Sequence, residues 1–193
     1  MKIVIIDYGA GNIQSIRFAI ARLGYEAVLS HDPETIRSAD KVIFPGVGEA
    51  ASAMEKLRAT GIDKLIPELR QPVLGICLGM QLMCASSEEG NTRGMGIFDV
   101  EIIKFTPEVK VPQIGWNSIY GLKTALFNGI REQEFMYLVH SYYAPVSEAA
   151  IALTDYGVKY ASALHRDNFY GVQFHPEKSS SAGAVILRNF LEL

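Results

Sequence analysis

Val73-Leu74-Gly75-Ile76-Cys77-Leu78-Gly79 is an apolar run that turns at a cysteine between two glycines and continues as Met80-Gln81-Leu82-Met83. It reads as a buried strand, Val73 to Ile76, entering a helix over Leu78 to Ser86. Working outward, Ile3-Val4-Ile5-Ile6, Ala27-Val28-Leu29 and Val42-Ile43-Phe44 are further short apolar strands. Helical patterns separate them: Ile13, Ile16, Ile20 and Leu23 up to a stop at Gly24, and Glu49 to about Leu69 with a break at Thr60-Gly61. Strands that are apolar throughout, each reached through a helix, predict a parallel sheet covered on both faces. The second half is richer in strands, with candidates at Val100 to Phe105, Ile114 to Tyr120, Phe135 to Val139, Ala150 to Thr154, Val158 to Leu164 and Phe169 to Phe174. A last helix, Ser180 to Leu191, should bury Ala184, Leu187, Phe190 and Leu191. No repeat or linker interrupts the chain, so one α/β domain over residues 1–193 with an antiparallel extension of its sheet is expected.

The chain has 193 residues, 49% hydrophobic and 20% charged, the balance of an ordinary globular protein. With 18 Lys and Arg against 21 Asp and Glu its net charge is -3, so the basic excess of a nucleic-acid binder is absent. No run approaches the roughly 18 apolar residues of a membrane span, and Asp7 comes too early for a secretory signal. A cytoplasmic location is expected. On a shared helix Cys77 and Cys84 would be about 10.5 Å apart along the axis, beyond the roughly 7 Å that a disulfide allows between Cα atoms. Two free thiols are therefore expected, and their spacing spells neither a redox pair nor a zinc site. No metal or organic cofactor is indicated.

Gly75-Ile76-Cys77-Leu78-Gly79 has the form of a nucleophile elbow, where flanking glycines relieve a sharp strand-to-helix turn. The elbow lifts the sulfur above the carboxyl ends of the strands and places it at a helix N-terminus, which favours thiolate. A buried structural cysteine is the competing reading, and it fits Cys84 well. A thiolate needs a base with its own orienting group, and of the four histidines His175 has one in Phe174-His175-Pro176-Glu177. Pro176 keeps His175 extended, and residues i and i+2 of an extended segment share a side, so Glu177 can reach the imidazole. His31 and His165 fall in polar loops, and His140 is open to either a structural or a functional reading. Pro45-Gly46-Val47-Gly48 follows the third strand, and its N–H groups together with that of Leu78 are candidate oxyanion donors. Gly9-Ala10-Gly11 with Asp32 imitates a dinucleotide fingerprint, but Gln14 stands where the third glycine belongs, leaving a structural turn or a partner surface.

These motifs resemble the class I, triad-type glutamine amidotransferases. The matching segments are Pro45-Gly46-Val47-Gly48, Gly75 to Gln81, and Gly171-Val172-Gln173-Phe174-His175-Pro176-Glu177. Asp7 to Asn12, Gly115-Trp116-Asn117, Val139 to Tyr142 and Lys178-Ser179-Ser180 look most like members that serve histidine biosynthesis. The resemblance implies a flavodoxin-like open mixed sheet, mostly parallel, with helices on both faces. It implies that Cys77 attacks the side-chain amide of L-glutamine, with His175 moving the proton and Glu177 orienting it. Gln81, Glu89, Ser141 and Tyr142 would contact the substrate. A (β/α)8-barrel cyclase subunit would consume the ammonia within a heterodimer, with Tyr8, Asn12, Trp116, Asn117 and Lys178 at the interface. Trp116 has core packing as an equal reading. A glutaminase for another synthase, or a domain serving only in assembly, are the alternatives. The latter predicts no thiol chemistry.

Overall fold

The computed structural model describes residues 1–9 and 12–193, so the Ala10-Gly11 part of the first turn lies outside it. The first half holds β1 (Ile3–Ile6), α1 (Ile13–Arg22), β2 (Ala27–Ser30), α2 (Pro33–Arg37), β3 (Lys41–Gly46), α3 (Ala50–Thr60), α4 (Ile62–Leu65), β4 (Val73–Cys77) and α5 (Leu78–Met83). There follow β5 (Cys84–Ser87), β6 (Thr92–Arg93), β7 (Phe98–Lys104), β8 (Gln113–Ile119), β9 (Glu134–His140), β10 (Tyr142–Pro145), β11 (Ala150–Asp155), β12 (Lys159–Arg166), β13 (Phe169–Val172) and α6 (Ser180–Leu191).

β1 sends Ile3 and Ile5 into one apolar cluster and Val4 and Ile6 into another. A strand buried on both faces has no polar side to present, hence its unbroken run of aliphatics. One cluster packs α1 and α6 on the sheet through Ile16, Ile20, Ile186, Leu187 and Phe190, and the other packs α3 and α4 through Met54, Leu57 and Ile62. Five strands run parallel in the order β2-β1-β3-β4-β13. From β13 the sheet continues antiparallel into β12, β10 and β7; β5 then joins β7 in parallel and β6 pairs antiparallel with β5, while β11 adds antiparallel to β12. β8 and β9 form a separate two-stranded antiparallel sheet. No helix among the described residues is long and apolar enough to cross a membrane.

Several sequence expectations are corrected. The helix after Cys77 ends at Met83 rather than Ser86, because Cys84–Ser87 pairs as a strand with β7 and β6. Pairing at a distance overrides local preference there. Cys77 and Cys84 therefore share no helix, though both thiols are free. Ala184 is only partly buried, and Gly183 takes its place because a Cβ there would fall 2.0 Å from the Pro176 carbonyl oxygen. His165 sits on β12 rather than in a loop, stacked on Tyr170. Asp32 accepts a hydrogen bond from the Thr35 N–H at 2.8 Å and so caps α2, an element with no apolar period to announce it.

Candidate active site

Cys77 closes β4 and caps α5 with φ 53° and ψ -111°, a backbone that residues with a Cβ rarely adopt. Packing imposes it. Gly46, at the end of β3, is in register with Cys77. A Cβ on Gly79 would lie 2.0 Å from the Phe44 carbonyl oxygen, and one on Gly46 would lie 2.6 Å from the Gly79 nitrogen. A Cβ on Gly75 would also come within 3.0 Å of the Gly79 carbonyl carbon. The tightest contact at the elbow is thus between α5 and the neighbouring strand β3.

β13 lies beside β4, with Val172 opposite Ile76, and this brings the following residues alongside the elbow. His175 Nδ1 donates to Glu177 Oε1 at 2.8 Å, with side chains only 3% and 1% exposed. His175 Nε2 and Glu177 Oε2 have no hydrogen-bond partner among the described residues. Burial pushes the imidazole pKa down, but Cys77 and Glu177 outweigh it and hold it at about 10. The thiol lies 3.8 Å from the Val139 carbonyl oxygen and receives the Gln173 Nε2–H at 3.6 Å.

Cys77 and His175 open onto a cavity of about 310 Å³ that Val47, Gly48, Leu78, Gln81, Glu89, Ser141, Tyr142 and Lys178 also line. Every oxyanion or substrate-contact residue expected from sequence is here except Gly46, which is buried in β3. Gly48 has φ +98° with open space around it, and Val47 is 41% exposed. Gln81 Nε2 donates to the Tyr142 carbonyl at 2.9 Å and to Gln173 Oε1 at 2.8 Å. The same carbonyl takes His140 Nδ1 at 2.7 Å. Burial, partly offset by that hydrogen bond and reinforced by His175, lowers the His140 pKa to about 4. His140 is thus a neutral ring whose Nδ1 carries the proton. Glu89 Oε2 accepts from the Ala50 N–H at 2.9 Å at the start of α3. Burial raises the Glu89 pKa against that hydrogen bond, and Glu49 adds to the rise.

The expected interface residues are dispersed. Trp116 is 52% exposed on β8, edge-on to Tyr137, while Lys178 stands over the same Tyr137 ring at the cavity. Asn117 donates to the Asp155 carbonyl and Asn12 accepts from the Ser15 hydroxyl. Tyr8 is buried, its hydroxyl donating to the Pro45 carbonyl at 3.0 Å. It props the Pro45–Gly48 loop from behind instead of offering a surface. Sequence reasoning gave Gln173 and Val139 no role. The signals for Gln173 were its place in the matching Gly171–Glu177 segment and its position two residues before His175 in extended chain, on the same side.

The profile of the class I glutamine amidotransferases matches residues 4–193. Among curated relatives, the imidazole glycerol phosphate synthase subunit HisH of Bacteroides fragilis (strain YCH46) is 58% identical over the full length of both chains. The protein of the same name from Escherichia coli (strain K12) is 47% identical, again over all of both chains. Solved structures share the fold at low identity. PurLQS from Thermotoga maritima superposes with a TM-score of 0.76 at 15% identity, covering 99% of this chain and 97% of that one. A glutamine amidotransferase from the same organism gives 0.67 at 14%, covering 100% and 96%.

Proposed function

This chain belongs to the class I glutamine amidotransferase family, and we propose that it is the glutaminase subunit of an imidazole glycerol phosphate synthase, acting in the cytoplasm as one domain over residues 1–193. The observation that carries this reading is the buried His175–Glu177 pair, 2.8 Å apart, beside a cysteine held at a strained elbow on the wall of a cavity. The relatives of the same full length carry the name of that synthase subunit.

The Cys77 sulfur attacks the side-chain carbonyl carbon of L-glutamine, and N–H groups of Val47 or Gly48 and Leu78 receive the developing oxyanion. His175 Nε2, unpartnered and charged at neutral pH, gives its proton to the leaving nitrogen. Ammonia departs and a glutamyl thioester remains. Water then loses a proton to His175, attacks the thioester and releases glutamate with the thiolate restored. Glu177 fixes the ring through Nδ1 and balances its charge. Glu89 meets the substrate α-ammonium, while Ser141, Tyr142 and Gln81 shape the rest of the cavity.

Ammonia passes to a (β/α)8-barrel cyclase subunit, which makes imidazole glycerol phosphate and aminoimidazole carboxamide ribotide for histidine biosynthesis. The surface that supports docking is one face of the β8–β9 pair. Ile114, Trp116 and Phe135 are 61%, 52% and 55% exposed, and their partners Val139 and Tyr137 continue that face toward the cavity. An exposed apolar strip of this kind at an active-site mouth fits a protein partner. The deciding experiment follows glutamate release from L-glutamine by the chain alone and with the cyclase subunit and its nucleotide ligand. Release that needs the complete mixture is expected. Release unchanged by the cyclase points to another synthase, and silence throughout refutes the glutaminase reading.

A further inference from the structure

Gln173 is wholly buried, and the chemistry written above makes no use of it. Its side-chain amide spans the gap between a substrate-cavity residue and the nucleophile. Oε1 accepts from Gln81 Nε2 at 2.8 Å, and Nε2 faces the Cys77 sulfur at 3.6 Å. The orientation is not free. Gln81 offers Gln173 only N–H, since its other amide hydrogen goes to the Tyr142 carbonyl, so an inverted Gln173 would set NH2 against NH2. The Tyr142 carbonyl is held in turn by His140. At the sulfur opposed influences meet: the Val139 carbonyl accepts from a thiol and disfavours a thiolate, whereas the Gln173 N–H donor and the His175 imidazolium, itself paired with Glu177, favour it.

We propose that Gln173 is a positioning residue for the nucleophile, its amide held by Gln81 so that Nε2–H donates to the Cys77 sulfur and keeps it as thiolate at the elbow. This deepens the glutaminase reading and rests on its thiol chemistry. A Gln173 that merely fills the core would affect stability and leave the sulfur unchanged.

Two measurements on the full chain separate these roles. The first is the rate of iodoacetamide alkylation at Cys77 against pH, located by peptide mass. The second is glutamine turnover in the complex with the cyclase and its ligand. Gln173→Met keeps length but removes donor and acceptor. Gln173→Glu keeps acceptance from Gln81 and loses the donor. Gln81→Leu frees the amide to invert. In all three the half-maximal pH of alkylation should rise, by about one unit in Gln173→Met, corresponding to about a tenfold change in the equilibrium. Turnover should fall about 10- to 100-fold in kcat for the Gln173 variants, with KM for glutamine within about threefold. If one variant fails to fold, the other two still decide. Midpoints and kcat equal to wild type in the folded variants overturn the proposal. Should the wild type release no glutamate while the midpoints still move, the glutaminase reading falls and the role of Gln173 stands.

Discussion

Gly79→Ala puts the tightest contact of the site to the test. A new Cβ would sit 2.0 Å from the Phe44 carbonyl oxygen, and real Cβ atoms essentially never approach below 3.0 Å, so β3 and α5 must part by about 1 Å. Neither side yields easily, since the obstructing atom is backbone in a strand paired on both edges. Overpacking of this kind costs about 3 kcal/mol. Replacing Gly by Ala inside a helix returns something under 1 kcal/mol, leaving a loss of about 2–3 kcal/mol. For a chain of this length that lowers the thermal midpoint by roughly 4–12 °C. The same displacement moves Leu78 N–H, and a 1 Å error at a reacting centre costs about 100-fold in rate. Gly96→Ala is the control. Gly96 also has a positive φ, +70°, but open space around it, so only about 1 kcal/mol of backbone strain is expected, and no loss of turnover. Differential scanning calorimetry and glutamate release in the complex read both quantities. A Gly79→Ala protein melting no lower than Gly96→Ala, with full turnover, would refute the packing argument.

The remaining predictions concern charge, loop and surface. Glu177→Gln removes the carboxylate that helps hold His175 near 10; because the folded pKa exceeds the unfolded 6.5, the pair's stabilisation is complete below 6.5 and fades as pH rises through about 10. The gap in melting temperature between wild type and Glu177→Gln should therefore shrink from pH 7 to 10, and a constant gap contradicts the assignment. His140 has the opposite sign: its folded pKa is near 4, so the stability it confers is complete above 6.5 and is lost as pH falls toward 4. His140→Asn should flatten the decline in melting temperature between pH 6.5 and 4. Gly48→Pro demands φ near -65° where the chain has +98°. It should abolish turnover with a small change in melting temperature, and undiminished turnover would acquit the loop. Trp116→Asp should weaken cyclase binding by about 10-fold or more while leaving Cys77 alkylation intact, as isothermal titration would record.

What the sequence made legible followed from constraints acting within a few residues. β1 was readable because both its faces are buried, and the elbow because Gly75 and Gly79 bracket one cysteine where a Cβ at either position would clash. Pro176 and Glu177 marked His175 in the same way, lying one and two residues beyond it. The parts that escaped depend on distant partners. Cys84–Ser87 is a strand only because β7 lies beside it, and Tyr142–Pro145 is one only between β7 and β12. Gln173 reaches Gln81 and Cys77 across 92 and 96 positions, a span no local pattern reports. The burial of Tyr8 could not be read either, because its partner, the Pro45 carbonyl, lies 37 residues on.

β13 sits between β4 and β12, and a temporal consequence follows. The strand that bears the nucleophile and the strand that leads into its base are hydrogen-bonded neighbours, yet Val172 follows Ile76 by nearly a hundred residues. Closing so long a loop is slow, because its entropy is lost before its contacts reward it. As the chain emerges from the ribosome, Cys77 and the elbow can form early. They have no imidazole beside them until Phe169–Val172 has inserted into the sheet. A nascent chain thus carries its thiol without its base, and hydrolysis of glutamine awaits the last strand.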